Sequence, residues 1–301
     1  MENRIKVDLK MDFAMQCAEV MERCGIDQIP PHPKSKGDAW VNEIIFAYCN
    51  LRFRKINPLP RKIIKAIYEV PAGLKEGEDA LLKAVENGEC LGPYQSKQIL
   101  NPNSTDLMLN DFGIHHFHLG LVEDDKKTYF KQRTGSLLFA VVTNDTFYSL
   151  GVFKHGQWGE EILINTIHKN WPELLDRYRV NTIIDTNSNQ LGNDGRKTLR
   201  EFGMNVPIKV SDGTVYLPTG GGSTISGHSE VVVDDLLRID WICRMNEKRI
   251  RDKALEFQPD ESSLALNLIQ TDQGAYVVSK CGGLCFGIGE ELRVSEKDIG
   301  Y

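Results

Sequence analysis

Apolar residues recur at helical spacing early in the chain and at strand spacing later, and the period changes near Leu107. Over residues 11–24, Phe13, Met15, Cys17, Val20, Met21 and Cys24 predict a first helix, with Gly25 where a C-cap glycine belongs. The turn-rich stretch 30–37 precedes a second helix beginning near Asp38, with Trp40, Ile44, Ile45, Tyr48 and Leu51 on its apolar side. A third helix is expected over 78–87, stopped by Gly88, and Pro93 with residues 101–105 reads as a boundary. Three strands follow, over 113–122, within 128–142 and over 147–154, joined by polar turns at 123–126 and 143–146. They predict an antiparallel meander. The unbroken apolar run from Leu137 to Val142 suits a strand covered on both faces.

Beyond the meander, a helix from Glu160 carries Ile164, Ile167 and Trp171, and Pro172 opens a further helical segment with Leu174, Leu175 and Tyr178. Ile183 and Ile184 suggest a short strand, and 196–202 a short helix closed by Gly203. A long helix over 232–257 and a hairpin turning at 271–274 complete the pattern. The expected fold class is α+β in three segments. A helical N-terminal region (1–105) precedes a His-rich antiparallel sheet domain (106–229), and a C-terminal helix plus hairpin (230–301) follows.

Composition narrows this picture little. Hydrophobic content of 41% and charged content of 26% fit an ordinary globular protein. A net charge of −6 and a pI near 5.7 disfavour a protein that coats long nucleic acid. The densest basic cluster, Arg52, Arg54, Lys55, Arg61, Lys62 and Lys65, reads first as a solvated helix end and loop, and second as a phosphate-facing patch. Residues 1–10 lack the apolar core of a signal peptide, no apolar run reaches membrane-spanning length, and the seven cysteines are odd in number and scattered. The expectation is a cytoplasmic protein without a membrane partner. Residues 219–229 are glycine-rich but match no nucleotide-binding motif, and read as a mobile loop.

The candidate chemistry sits in residues 111–120, Asp-Phe-Gly-Ile-His-His-Phe-His-Leu-Gly. Imidazole carries both acid and base forms near neutral pH and also ligates metals. On a strand, His116 and His118 share one face, and His115 takes the other with Phe117 and Leu119. A turn centred between Asp124 and Asp125 would place His116 beside Arg133 and His115 beside Thr134. A second turn between Asn144 and Asp145 would bring His155 beside Thr134. The candidate catalytic set is therefore His115, His116, His118, Arg133, Thr134 and His155, with no cofactor called for.

These groups suit metal-independent cleavage of RNA. One imidazole would take the 2'-hydroxyl proton, another would protonate the leaving 5'-oxygen, and Arg133 would stabilise the charge that builds on phosphorus. A metal-dependent hydrolase is the alternative, with the His116/His118 pair completed by His155 or Asp111. The non-enzymatic alternative is a binding or regulatory protein. In either case the helical N-terminal region would dock a protein partner or inhibitor.

The run 111–120, together with Leu137, Leu138 and Phe139 and residues 167–172 (Ile-His-Lys-Asn-Trp-Pro), resembles a family of bacterial proteins encoded as scattered accessory genes. In pattern, a helix followed by an antiparallel meander with polar residues at strand ends is similar to the barnase/RelE-like ribonucleases. That likeness implies a hydrolase acting on RNA, of the toxin or phage-defence effector type. The acidic pI departs from the basic character common in such toxins.

Overall fold

The computed structural model describes residues 5–26, 28–30, 37–125, 129–154, 160–181, 195, 198–199, 202–257, 264–279, 283–289 and 292–299. His155, Ile183, Ile184, Arg196 and Cys281 lie outside the described residues. Contacts gather the chain into two compact units, one from 1–53, 100–103 and 232–300, the other from 54–99 and 104–231. The three consecutive segments expected from the sequence are thus interleaved. The first two helices share a unit with the C-terminal segment, while 54–99 belongs with the histidine-bearing sheet.

In the first unit, α1 (Leu9–Arg23) starts at Asp8, whose carboxylate accepts from the Met11 amide at 2.9 Å. It buries Phe13, Cys17, Val20 and Met21, the periodic residues that predict it. α2 (Asp38–Arg54) buries Tyr48, which meets Phe13 edge-to-face at 6.3 Å and donates to Asp298 at 2.8 Å. A sheet of order β1-β8-β9-β10 comprises Ile5–Lys6, Leu264–Thr271, Gly274–Ser279 and Cys285–Gly289. The expected hairpin is β8–β9, closing where Thr271 faces Gly274. The long helix α6 (Glu230–Phe257) is fixed to α1 by Glu247, which accepts from the Leu9 amide at 2.8 Å, and by the Lys10–Asp240 ion pair at 2.5 Å.

The second unit is built on a sheet of order β2-β5-β4-β3, formed by Lys62–Lys65, Thr146–Lys154, Ser136–Val142 and Ile114–His118. β3, β4 and β5 are the predicted antiparallel meander. β2 adds a parallel edge strand, with Lys62 opposite Thr146. Its two apolar residues, Ile63 and Ile64, stand between lysines inside the basic cluster, so the pattern there is too short to signal a strand. The sheet is covered on both faces, as the run 137–142 predicts. On one face Ile114, Leu137 and Phe139 pack with Leu163, Ile164, Ile167 and Trp171 from α5 (Glu160–Asn170) and the residue after it. On the other, Phe117, Leu138, Ala140 and Phe147 pack with Leu81, Ala84 and Val85 of α3 (Lys75–Asn87).

Candidate functional site

The histidines reach β3 through a short helix, α4 (Leu107–Phe112), where the sequence pattern suggests only a change from helix to sheet. Asp106 caps its N-terminus, accepting at Oδ1 from the amides of Met108 and Leu109, both at 3.1 Å. Gly113 closes it in a left-handed conformation (φ 67°), donates to Leu109 O at 2.9 Å and turns the chain into β3. A helix leaves its last four carbonyls without internal donors. The other three here are met from the glycine-rich loop. Gly222 donates to Asn110 O at 2.9 Å, Gly220 to Asp111 O at 2.9 Å, and the Thr219 hydroxyl to Phe112 O at 2.8 Å. A Cβ on Gly220 would lie 2.2 Å from Leu109 O, so only glycine fits. The loop expected to be mobile is instead the C-terminal cap of α4.

On β3 the predicted alternation holds. Ile114 belongs to the α5-covered core and Phe117 to the α3-covered core, so His116 and His118 share the first side and His115 the second. The free Oδ2 of Asp106 lies 3.6 Å from His116 Nδ1, and both side chains are about a quarter exposed. The His116 ring also lies 6.2 Å from the Phe139 ring. His115 is half-buried, and burial pulls its pKa from 6.5 down to about 4. Asp106 opposes that shift, while His116 and the Arg61 guanidinium add to it. His115 is therefore a neutral base at physiological pH.

The pairings expected across the first turn do not form. His116 faces Phe139, His115 faces Ala140 and His118 faces Leu137. The reason is that strand-like contacts continue past Asp124. Glu123 bridges Lys131, and the Asp124 amide donates to Phe130 O at 2.7 Å, with Phe130 only 1% exposed. Thr134 consequently meets His118 rather than His115. The Thr134 amide donates to His118 Nδ1 at 3.3 Å, and its hydroxyl accepts from the Leu119 amide and donates to Ser136 O at 2.6 Å. His118 is 3% exposed and closes the sheet end together with the half-buried Thr134. Arg133 is exposed on the segment entering β4. The second turn has the expected register, with Val142 opposite Phe147, before a bulge between Phe139 and Ala140 shifts the pairing.

Asp111 is 1% exposed and accepts from the Ser223 hydroxyl at 3.2 Å. Among the described residues no three His, Cys, Asp or Glu side chains are grouped to hold a metal ion. Several members of the basic cluster serve the frame. Arg61 donates to the carbonyls of Thr143, Asn57 and Leu59, Arg54 to Gln98 O, and Lys65 to Glu78.

Two polar clusters escape the sequence reading. The fully buried Glu78 carboxylate accepts from Lys65 at 2.6 Å, Lys75 at 2.9 Å and the Tyr68 hydroxyl at 2.6 Å, and Tyr68 also meets Ser149 at 2.6 Å. His168 lies between Asp212 (Nε2, 3.0 Å) and the Tyr216 hydroxyl (Nδ1, 2.8 Å). Tyr216 is 2% exposed, so this relay anchors β7 (Val215–Tyr216) to the end of α5. Its members stand 44 and 48 residues apart, and no spacing rule joins them.

No protein-family model, curated protein or solved structure matches the chain. Among the described residues no helix is long and apolar enough to cross a membrane.

Proposed function

We propose that His116 and Asp106 form a proton-transfer site for metal-independent endonucleolytic cleavage of RNA. The observation that carries this reading is the Asp106 carboxylate, fixed by a helix cap 3.6 Å from His116 Nδ1 and, like the ring, about a quarter exposed. His115 stands on the other side of β3 and takes no part.

In this mechanism His116 takes the proton from a ribose 2'-hydroxyl, the 2'-oxygen attacks phosphorus, and the Asp106 carboxylate stabilises the imidazolium that forms. The bond from phosphorus to the 5'-oxygen breaks, and the imidazolium gives its proton to that oxygen. The products are a 2',3'-cyclic phosphate and a 5'-hydroxyl end. Arg133 does not pair with His116 and has no role in this mechanism. His118 and Thr134 keep the strand in register and take no part in the chemistry.

The test is incubation of the whole chain with single-stranded and structured RNA in chelator, with analysis of the product ends. Cleavage should yield cyclic phosphates and spare DNA. His116→Ala should lower the rate by about a hundred- to ten-thousand-fold with thermal stability nearly kept. Asp106→Asn, which keeps the helix cap, should lower the rate without unfolding the protein. RNA left intact at every pH overturns the proposal and favours a binding or regulatory protein.

A further inference from the structure

The longest helix, α6, leaves a large apolar stripe uncovered. Leu237, Trp241 and Met245, at successive i, i+4 positions, are 60%, 59% and 51% exposed. The opposite side of the helix is committed to its own unit through the buried Ile239, Ile242, Cys243 and Ile250. Aromatic and methionine side chains gathered on one exposed helix face are characteristic of the centre of an interface.

The order of residues along the stripe indicates what covers it. Leu237 and Met245 are equidistant in sequence from Trp241, and so are the exposed Asp234 and Lys248. Among the described residues, neither Asp234 nor Lys248 has an ion-pair partner. When two copies of such a helix pack antiparallel about a two-fold axis at Trp241, Leu237 of each copy meets Met245 of the other. Each Asp234 then meets the other copy's Lys248, so one patch supplies both halves of the contact. Arg238 meets Arg244, which shares the Asp240 carboxylate with Lys10, so this like-charged pair at the rim works against association while the Asp234–Lys248 pairs favour it.

We propose that α6 is a homodimer interface, in which the Leu237–Trp241–Met245 stripe packs antiparallel on the same stripe of a second copy. The segment between the two ion pairs spans roughly 21 Å at about 1.5 Å per residue. Interfaces burying less than about 1,200 Å² in total are weak or transient, so the dimer should assemble and dissociate in the micromolar range.

Sedimentation equilibrium of the whole chain over low- to high-micromolar concentrations tests this. Wild type should pass from monomer to dimer, and Trp241→Ala should weaken association at least about a hundredfold, because the side chain is counted twice at the axis. Its circular dichroism should not change, since the residue is exposed. Asp234→Lys and Lys248→Asp should each weaken the dimer by about tenfold, and the double variant D234K/K248D should restore it. Three results overturn the proposal: a wild-type monomer throughout, a dimer indifferent to Trp241→Ala, or single charge reversals that the double variant does not rescue.

Discussion

The Thr134 amide donates to His118 Nδ1 at 3.3 Å, and this bond commits the third histidine of the cluster to the end of the sheet. A ring nitrogen that accepts from a part-buried amide is an architectural partner. Replacement by alanine leaves that N–H unsatisfied beside an unfilled space.

His118→Ala should therefore lower stability by about 1–3 kcal/mol. Activity should fall only as far as the folded fraction falls. Urea denaturation monitored by circular dichroism measures the first effect, and cleavage assayed well below the melting temperature measures the second. A large loss of rate without a loss of stability would return His118 to the chemistry.

His115 gives a pH dependence of stability. Its folded pKa, about 4, lies below the ordinary value of 6.5 because burial penalises the charged ring. The unfolded chain thus binds more protons between those two values, and stability should rise with pH across that window. His115→Gln should flatten the rise in denaturation followed by circular dichroism.

Glu78 gives a pH dependence in a lower range. Burial raises its pKa, but donation from Lys65, Tyr68 and Lys75 outweighs this and leaves the carboxyl below its usual 4.5. Its contribution is complete above that value and is lost as pH falls through the lower folded value. Glu78→Ala should cost about 1–3 kcal/mol at neutral pH, since both lysines still reach water. The difference from wild type should shrink in denaturation measured near pH 3.

Gly220→Ala should destabilise the unit that holds the histidines by more than about 1 kcal/mol, because the backbone conflict at 2.2 Å has no flexible partner to yield. Gly135→Ala, in the same unit with open space around its Cβ position and no left-handed backbone, is the control for the loss of a glycine itself. Hydrogen exchange at the amides of α4 should separate the two variants.

Much of the fold is legible in the sequence because burial follows the period of the chain. Phe13, Cys17 and Met21 on α1, and the alternation of His115 and His116 about β3, follow from spacing alone. The hairpin of β8 and β9 is equally plain, since Thr271 and Gly274 bracket a polar turn. The candidate site was located but its partners were not. Pairing across the first turn depends on where the chain reverses, and Phe130, buried after a polar stretch, carries the contacts beyond the expected point. Asp106 carries no separate signal in the sequence, because a carboxylate before a short helix looks like a cap, and it is one. Only its second oxygen faces His116.

The cap on α4 also sets an order of events. The helix that aims Asp106 at His116 is closed by residues from a loop far later in the chain, as the 107-residue separation of Phe112 and Thr219 measures. During synthesis, which proceeds from the N-terminus, β3 and its histidines leave the ribosome long before Gly220 and Gly222 do. Until then three carbonyls of α4 lack these donors. The helix before the histidines is thus completed only after residues 219–222 have emerged, so a chain cut short before that loop would carry all three histidines of β3 without the cap on α4.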